Sequence, residues 1–141
     1  MSETIKTIGV LTFRNNLAEL LMVRHTKKAE HISGRYGVPA GRQNPGETDI
    51  QTALRELHEE TGFTAQSEDL IELPTVYNEI IPTKEGPKPF SMKVFLCKNL
   101  TGKSKDSEEN LVEWVSIDGV KTLNLLPNIE NIVNEGLKFS K

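Results

Sequence analysis

The sequence predicts an α+β fold in which helices cover a mixed or mostly antiparallel β-sheet. Segments rich in β-branched residues alternate with two segments whose apolar residues recur at helical spacing, in the order strands, helix, strands, helix. The chain has 141 residues, which suits one domain with a single modest core. Its 36% hydrophobic and 26% charged residues are typical of a soluble globular protein. We therefore expect one domain over residues 1–141.

The composition argues against several classes of function. The formal net charge of −3 offers no broadly basic surface for a nucleic acid backbone. The longest apolar runs are far shorter than the roughly 20 residues that span a bilayer, and the first residues lack the apolar core of a signal peptide. Cys97 is the only cysteine, which excludes an internal disulfide and is compatible with a reducing compartment. We expect a cytoplasmic monomer or homodimer that binds a small molecule, and neither nucleic acid nor membrane.

The N-terminal third of the chain predicts strands joined by loops. Two segments rich in β-branched and aliphatic residues, 4–13 and 19–25, flank an Asn-Asn turn and are expected to pair as a hairpin. A polar loop at 26–35 follows. Two glycines and a proline at 41–46 predict a shaped loop without regular structure.

A helix is predicted to follow this loop. Thr48 with Gln51 three residues later is a capping-box signature, and Gly62 is well placed to end the helix in the left-handed conformation. The stripe expected to face the core consists of residues at helical spacing, namely Ile50, Ala53, Leu54, Leu57 and Thr61.

The rest of the chain predicts three strands and a closing helix. Segments 70–81 and 90–98 flank a Gly/Pro loop, which suits a hairpin. Segment 101–110 has no apolar residue and predicts a solvated loop, after which strand character returns at 111–117. Four aliphatic residues share one face of a predicted helix at 128–139.

The first helix carries a concentration of carboxylates. Glu56, Glu59 and Glu60 lie at positions i, i+3 and i+4, within an arc of about 100°. Carboxylates that close repel one another, whereas Mg²⁺ prefers oxygen ligands and keeps positions free for substrate phosphates. A solvated acidic face is the alternative, because charges at these spacings are common on protein surfaces. The spacing alone leaves both interpretations open.

Arg55 lies beside these carboxylates. Its planar guanidinium can hold Glu47, at the junction of loop and helix, through a bidentate contact. It can equally order Glu59 one turn further along the helix. Either contact would fix the geometry of the carboxylates before a metal arrives.

The whole pattern from residue 41 to residue 63 resembles the signature of the Nudix hydrolase family. All of its fixed positions are present, as Gly41, Glu47, Arg55-Glu56-Leu57, Glu59-Glu60, Gly62 and Phe63. A match at so many positions is a strong signal. The preceding residues 36–41 and the later segment 113–115 are also similar to the family's strands. Ala40 replaces a common glycine and Tyr36 a frequent tryptophan, and neither departure touches a ligand position.

The resemblance implies an α/β/α sandwich that hydrolyses a pyrophosphate bond in a nucleoside diphosphate linked to another moiety, with Mg²⁺ or Mn²⁺. The metal ligands that it implies are Glu56, Glu59, Glu60 and the carbonyl of Gly41. It further implies that Glu47 assists these ligands and that Arg55 orients a glutamate.

The base that takes a proton from the attacking water stays open at this point. Glu59 or Glu60 is one choice. Glu108 or Glu109, in the loop before the predicted strand at 111–117, is the other, against the simpler interpretation of a solubilising loop charge.

The substrate is determined least by the sequence. Arg24 and Arg42 are candidate phosphate partners, although each also fits a surface arginine with a structural contact. The compact chain favours a (deoxy)nucleoside triphosphate-type pyrophosphohydrolase, while the Pro-Ala-Gly at 39–41 favours ADP-ribose or nucleotide-sugar hydrolysis. Dinucleoside polyphosphates are a further substrate class. A non-catalytic nucleotide-binding Nudix module is the second alternative, although such modules usually lose the glutamates that this chain retains.

Overall fold

Two four-stranded β-sheets lie between two helices in the computed structural model, which describes residues 3–26 and 32–140. The strands are β1 (Ile5–Leu11), β2 (Phe13–Arg14), β3 (Glu19–His25), β4 (Tyr36–Gly37), β5 (Ala40–Arg42), β6 (Leu70–Ile81), β7 (Lys88–Cys97) and β8 (Asn110–Ser116). The helices are α1 (Asp49–Thr61) and α2 (Ile129–Ser140), with short 3-10 turns at Ser67–Asp69 and Ile117–Thr122. The fold is an α/β/α sandwich of the α+β class, as the sequence predicts.

The sheet that carries the site is mixed. Its strand order is β5-β1-β7-β6. β1 runs parallel to β7, from Ile5 beside Phe90 to Leu11 beside Leu96, and the other two pairings are antiparallel. In the second sheet, β3 pairs along its whole length with β8 and at its two ends with β2 and β4.

The helices bury two apolar clusters on opposite faces of the sheets. Successive residues of β1 divide between them, because side chains alternate along a strand. Val10 packs on the α1 side with Leu57, and Leu11 packs on the α2 side with Ile132. All four of these side chains are at most 1% exposed. Burial on both faces explains why the second half of this strand, Ile8–Leu11, carries no polar side chain.

Several predicted elements are confirmed. β3 spans the predicted residues, and β6 and β7 form the predicted hairpin. The capping box is present, since Thr48 accepts a hydrogen bond from the Gln51 amide at 3.1 Å and the Gln51 side chain accepts one from the Thr48 amide. Gly62 ends α1 with φ of 83°. No helix among the described residues is long and apolar enough to cross a membrane.

Two predictions about the first third of the chain are wrong in extent. β1 does not pair with β3. Only the end of the first predicted segment, in β2, pairs with β3, while β1 joins the other sheet between β5 and β7. Residues 41 and 42, predicted to be irregular, belong to β5, because distant β1 supplies hydrogen-bonding partners that local sequence does not reveal. Part of the predicted loop at 26–35 lies outside the described residues.

Gly136 on α2 is required by packing. A Cβ added there would lie 2.0 Å from the Cδ2 atom of Leu11, a side chain with no solvent exposure. We expect Gly136→Ala to lower the free energy of unfolding by about 1–3 kcal/mol, because overpacking outweighs the helical preference for alanine. Urea unfolding measures this, with Gly119→Ala as the control, since nothing lies within 4 Å of a Cβ at Gly119. Equal stability of the two variants would contradict the packing argument.

Candidate active site

The strand β5 brings the backbone of Gly41 against the carboxylates of α1. Gly41 lies opposite Ile8 of β1. A Cβ at Gly41 would lie 2.1 Å from the carboxyl carbon of Glu56, so only glycine lets that carboxyl lie directly on the strand. Glu56 is 8% exposed, and burial raises its pKa. It is thus anchored between helix and sheet and is not part of a solvated face.

Arg55 organises the carboxylates. Its Nε and Nη2 atoms donate to the two carboxylate oxygens of Glu47 at 2.7 and 2.9 Å, the predicted bidentate contact. Its Nη1 atom donates to Glu56 at 2.6 Å and to Glu59 at 3.2 Å. Nη2 also donates to the carbonyl oxygen of Arg42 at 2.9 Å. The sequence left Glu47 and Glu59 as alternatives, and the structure shows one guanidinium holding both, together with Glu56.

Glu47 connects the loop to the helix. Besides Arg55, its carboxylate accepts hydrogen bonds from the Asn44 amide at 2.9 Å and the Thr52 hydroxyl at 3.0 Å. The Arg55 hydrogen bonds, followed by the Asn44 amide, lower the pKa of Glu47 to about 2. Glu47 therefore stays ionised at neutral pH and fixes Arg55 in place.

Glu60 differs from the other carboxylates in its surroundings. It accepts a hydrogen bond from the Ala40 amide at 2.8 Å, in the gap between α1 and β5. Burial, despite that hydrogen bond and with added repulsion from Glu56 and Glu59, raises its pKa to about 8. Glu60 is not among the residues predicted to face the core, but β5 covers this side of the helix as well.

A cavity of about 340 Å³ adjoins these groups. Glu60, Gly41 and Arg42 line it from the side of the carboxylates. The apolar part of its wall comes from the β6–β7 hairpin and the segment before α2, through Ile81, Phe90, Met92, Leu126, Pro127 and Ile129. A cavity of this size, mostly apolar with a few polar groups, is typical of a small-molecule site.

The two candidate loop glutamates, Glu108 and Glu109, differ in their position relative to the cavity. Glu109 lines the cavity, and its charge contributes to the raised pKa of Glu60. Glu108 does not line the cavity, although both glutamates are exposed, and its backbone carbonyl accepts a hydrogen bond from Thr26. Of the two, only Glu109 is therefore brought to the carboxylate site.

The two candidate arginines, Arg24 and Arg42, also differ in their position relative to the cavity. Arg42 lines the cavity, and its guanidinium lies 5.8 Å from the centre of the Phe90 ring. Arg24 forms an ion pair with Glu113 at 3.1 Å and does not line the cavity. Side chains alternate along β3, so Arg24 and the next residue, His25, lie on opposite faces of the sheet.

The sequence missed two titratable residues in the cavity wall. His25 lines the cavity, where its Nδ1 donates to the Asn110 side-chain oxygen at 2.9 Å and burial lowers its pKa. Glu79 on β6 lines the cavity from the hairpin. His25 lies opposite Asn110 of β8 only through the register of two distant strands, which the sequence does not reveal.

The carboxylate oxygens are suitable ligands for a hard divalent cation, although their side chains are not arranged as a metal-binding cluster. Across residues 3–26 and 32–140, no group of three His, Cys, Asp or Glu residues stands ready to hold a metal ion. Glu56 and Glu59 instead turn towards the same nitrogen of Arg55. The enclosed Glu60 accepts its hydrogen bond from a neutral amide, and a nearby cation would offset the burial of its charge. Three carboxylates and the glycine backbone are the oxygen-rich donors that Mg²⁺ prefers.

The fold and the carboxylate site correspond to a family of hydrolases. The family profile described as NUDIX domain matches residues 4–135. The chain therefore belongs to the Nudix family, whose hydrolases act on small nucleotide substrates and generally use divalent metals.

The chain is similar to several characterised members. It is 27% identical over 137 residues to the mouse 8-oxo-dGDP phosphatase NUDT18. The matched region covers 94% of this chain but only 39% of that protein. It is 25% identical over 126 residues to the Escherichia coli 8-oxo-dGTP diphosphatase, covering 89% and 90% of the two chains. The Nudix domain of Shewanella oneidensis NrtR, solved with ADP ribose, has the same fold, with a TM-score of 0.79 at 15% identity over 100% of this chain and 91% of that one.

Proposed function

We propose that this chain, as one domain over residues 1–141, hydrolyses a pyrophosphate bond in a Mg²⁺-dependent reaction. The substrate class best supported is a (deoxy)nucleoside triphosphate. One observation carries the proposal: the carboxylates that Arg55 organises adjoin, through Glu60 and Gly41, a cavity large enough for a nucleotide. A solvated acidic surface would offer neither the enclosed carboxylate nor the adjoining cavity.

The metal would be held by Glu56, Glu59, Glu60 and the Gly41 carbonyl. When bound, Mg²⁺ supplies positive charge that neutralises the phosphate oxygens and lowers the pKa of water. Arg55 and Glu47 hold Glu56 and Glu59 in position before substrate arrives, so that little reorganisation is needed.

The bond-breaking step requires a proton acceptor beside the attacked phosphorus. Water attacks in line with the leaving phosphate, one P–O bond forms while the anhydride P–O bond breaks, and a carboxylate takes the proton. Glu109 is favoured over Glu108 for this role because it lines the cavity near Glu60. Glu59 and Glu60 remain alternatives on the helix. Arg42 is placed to contact a phosphate from the cavity wall.

The names of similar proteins support a nucleotide as the substrate. The names of NUDT18 and the E. coli enzyme describe phosphatases of oxidised deoxyguanosine nucleotides. ADP-ribose or nucleotide-sugar hydrolysis is the second candidate, favoured by the fold shared with the NrtR domain that binds ADP ribose. Binding without hydrolysis is the third, and the complete set of carboxylates held by Arg55 argues against it.

A substrate panel with Mg²⁺ tests the proposal. It contains the (deoxy)nucleoside triphosphates, 8-oxo-dGTP, ADP-ribose, a nucleotide sugar and a dinucleoside polyphosphate, with chromatographic detection of nucleoside monophosphates. We expect release of a monophosphate and pyrophosphate from a triphosphate, abolished by EDTA. Faster cleavage of ADP-ribose would favour the second candidate. Binding of a nucleotide without cleavage of any compound would contradict hydrolysis.

A further inference from the structure

Glu79 is an acidic residue in the cavity wall that the proposed hydrolysis does not use. It lies on β6 opposite Phe90 of β7, and two positions before Ile81. Phe90 and Ile81 line the same cavity, so Glu79 belongs to its apolar part. This burial raises the pKa of Glu79. A carboxylate in such surroundings costs free energy unless donors compensate it.

Among the residues that the structure describes, one side chain donates a hydrogen bond to the Glu79 carboxylate. The Asn128 side-chain nitrogen donates to its Oε2 atom at 3.2 Å and to the carbonyl oxygen of Asn78 at 3.0 Å. Throughout the described residues, no lysine, arginine or histidine forms an ion pair with Glu79 and no second donor contacts it. The Oε1 atom therefore has no hydrogen-bond partner among the described residues, and Glu79 lines the cavity.

The geometry of Asn128 shows that Glu79 is held in place. Both groups that the Asn128 amide touches are acceptors, so its nitrogen and not its oxygen must face them. Asn128 reaches them with φ of 66°, a left-handed conformation that asparagine tolerates better than most residues. It lies just before α2, which anchors this segment through the buried Ile129.

A fixed carboxylate with open acceptor positions selects for ligands with two adjacent N–H donors. Guanine offers such a pair on its Watson–Crick edge, the ring N1–H and the exocyclic amino group. Adenine and cytosine place a ring acceptor beside their amino group, and thymine and uracil flank one N–H with two carbonyls. Each of these four bases would place an acceptor opposite a carboxylate oxygen of Glu79. Neither of these two acceptors would then have a hydrogen-bond donor.

We propose that Glu79 is a specificity-determining residue that binds the Watson–Crick edge of a guanine-type base, with Asn128 as its positioning residue. This inference rests on the proposed nucleotide hydrolysis and names its substrate class. The base would lie against the apolar wall near Phe90, while the phosphates extend towards Glu60 in the same cavity. Guanine and 8-oxoguanine share the edge in question, so both belong to the class.

Glu79→Gln is the direct test, because glutamine presents one donor and one acceptor and so complements adenine instead. For the unaltered protein we expect kcat/KM to favour dGTP over dATP by on the order of 10- to 100-fold, with dITP, which lacks the amino group, between them. In Glu79→Gln the value for dGTP should fall by a similar factor, and that for dATP should stay equal or rise. 8-oxo-dGTP should follow dGTP.

Two further variants separate recognition from a structural effect. Glu72→Gln changes an exposed carboxylate on the same strand, outside the cavity wall, and should leave the dGTP/dATP ratio unchanged. Asn128→Gly keeps the left-handed backbone accessible while removing the amide. It should lower the dGTP/dATP ratio, whereas a merely structural role would lower both substrates together.

Product binding keeps this test independent of hydrolysis. Calorimetry with dGMP and dAMP on each variant should show the same preference for guanine and the same loss in Glu79→Gln. Failure of every triphosphate to be cleaved, with dGMP preference intact, would overturn the hydrolysis and leave the base assignment standing. Equal losses for guanine and adenine nucleotides in Glu79→Gln, or no preference in the unaltered protein, would overturn the base assignment.

Discussion

Glu59→Gln and Glu60→Gln are each expected to lower Mg²⁺-dependent turnover by on the order of 10³-fold, because several kcal/mol of charge stabilisation depend on the metal that these residues would hold. The two carboxylates differ in exposure. Glu59 is 54% exposed at its side chain, while Glu60 is enclosed between α1 and β5. Loss of either removes one negative oxygen ligand and leaves an amide of the same shape.

The fold should survive both substitutions. Among the described residues, the Glu59 carboxylate forms hydrogen bonds only with Arg55. At Glu60 a neutral amide replaces a carboxyl whose pKa burial raises to about 8, so the surroundings of this side chain already favour a neutral group. Circular dichroism and thermal unfolding in EDTA would check this.

Steady-state kinetics across a Mg²⁺ titration measures the effect of these variants. The Mg²⁺ concentration for half-maximal activity should rise in each, since a weakened site needs more metal. Glu68→Gln, an exposed glutamate in the turn after α1, is the control and should behave like the unaltered protein. Unchanged hydrolysis in both Glu59→Gln and Glu60→Gln would disprove the metal assignment.

Arg55→Lys is expected to lower kcat by about 10- to 100-fold, the usual effect of disturbing a group that orients metal ligands. Lysine keeps the positive charge, but one ammonium cannot hold both oxygens of Glu47 and also reach Glu56 and Glu59. Arg55→Gln removes the charge as well and should cost more activity, because Glu56 and Glu59 then repel each other without compensation.

The control for this substitution is Arg14→Lys. Arg14 also pairs with a glutamate, Glu19, at 2.9 Å, but it is 45% exposed at its side chain and forms no ion pair with Glu47, Glu56 or Glu59 among the described residues. Its replacement should leave kcat unchanged, as is usual for exposed ion pairs. Wild-type kcat in Arg55→Lys would show that charge alone suffices and that the bidentate contact with Glu47 is not needed.

Local patterns in the sequence account for a large part of the fold. The capping box at Thr48, the end of α1 at Gly62 and the full extent of β3 depend on neighbouring residues, and all were predictable. The pairing of the strands was less predictable from the sequence. β1 and β5 meet only because distant segments supply each other's hydrogen bonds, and turn-forming residues at 41–46 concealed the strand β5.

The candidate site, like the fold, was predictable only where it depends on neighbouring residues. Helical spacing places Glu56, Glu59 and Glu60 together in any α-helix, and the family signature attaches a reaction class to them. The spacing says nothing of what faces the helix. The packing of β5 on α1 encloses Glu60, and the fold decides that Glu109 and not Glu108 lines the cavity.

The sequence by itself determined the family, the carboxylate helix and the arginine beside it, because helix geometry and a contiguous signature are local properties of the chain. The tertiary structure alone decided how many groups Arg55 holds, which carboxylate is enclosed, and that Asn128 holds Glu79 of the cavity wall. Residues 79 and 128 come together only when the β6–β7 hairpin packs beside the start of α2. Contacts between distant segments leave no periodic trace in a single sequence, which is why they appeared only in the folded chain.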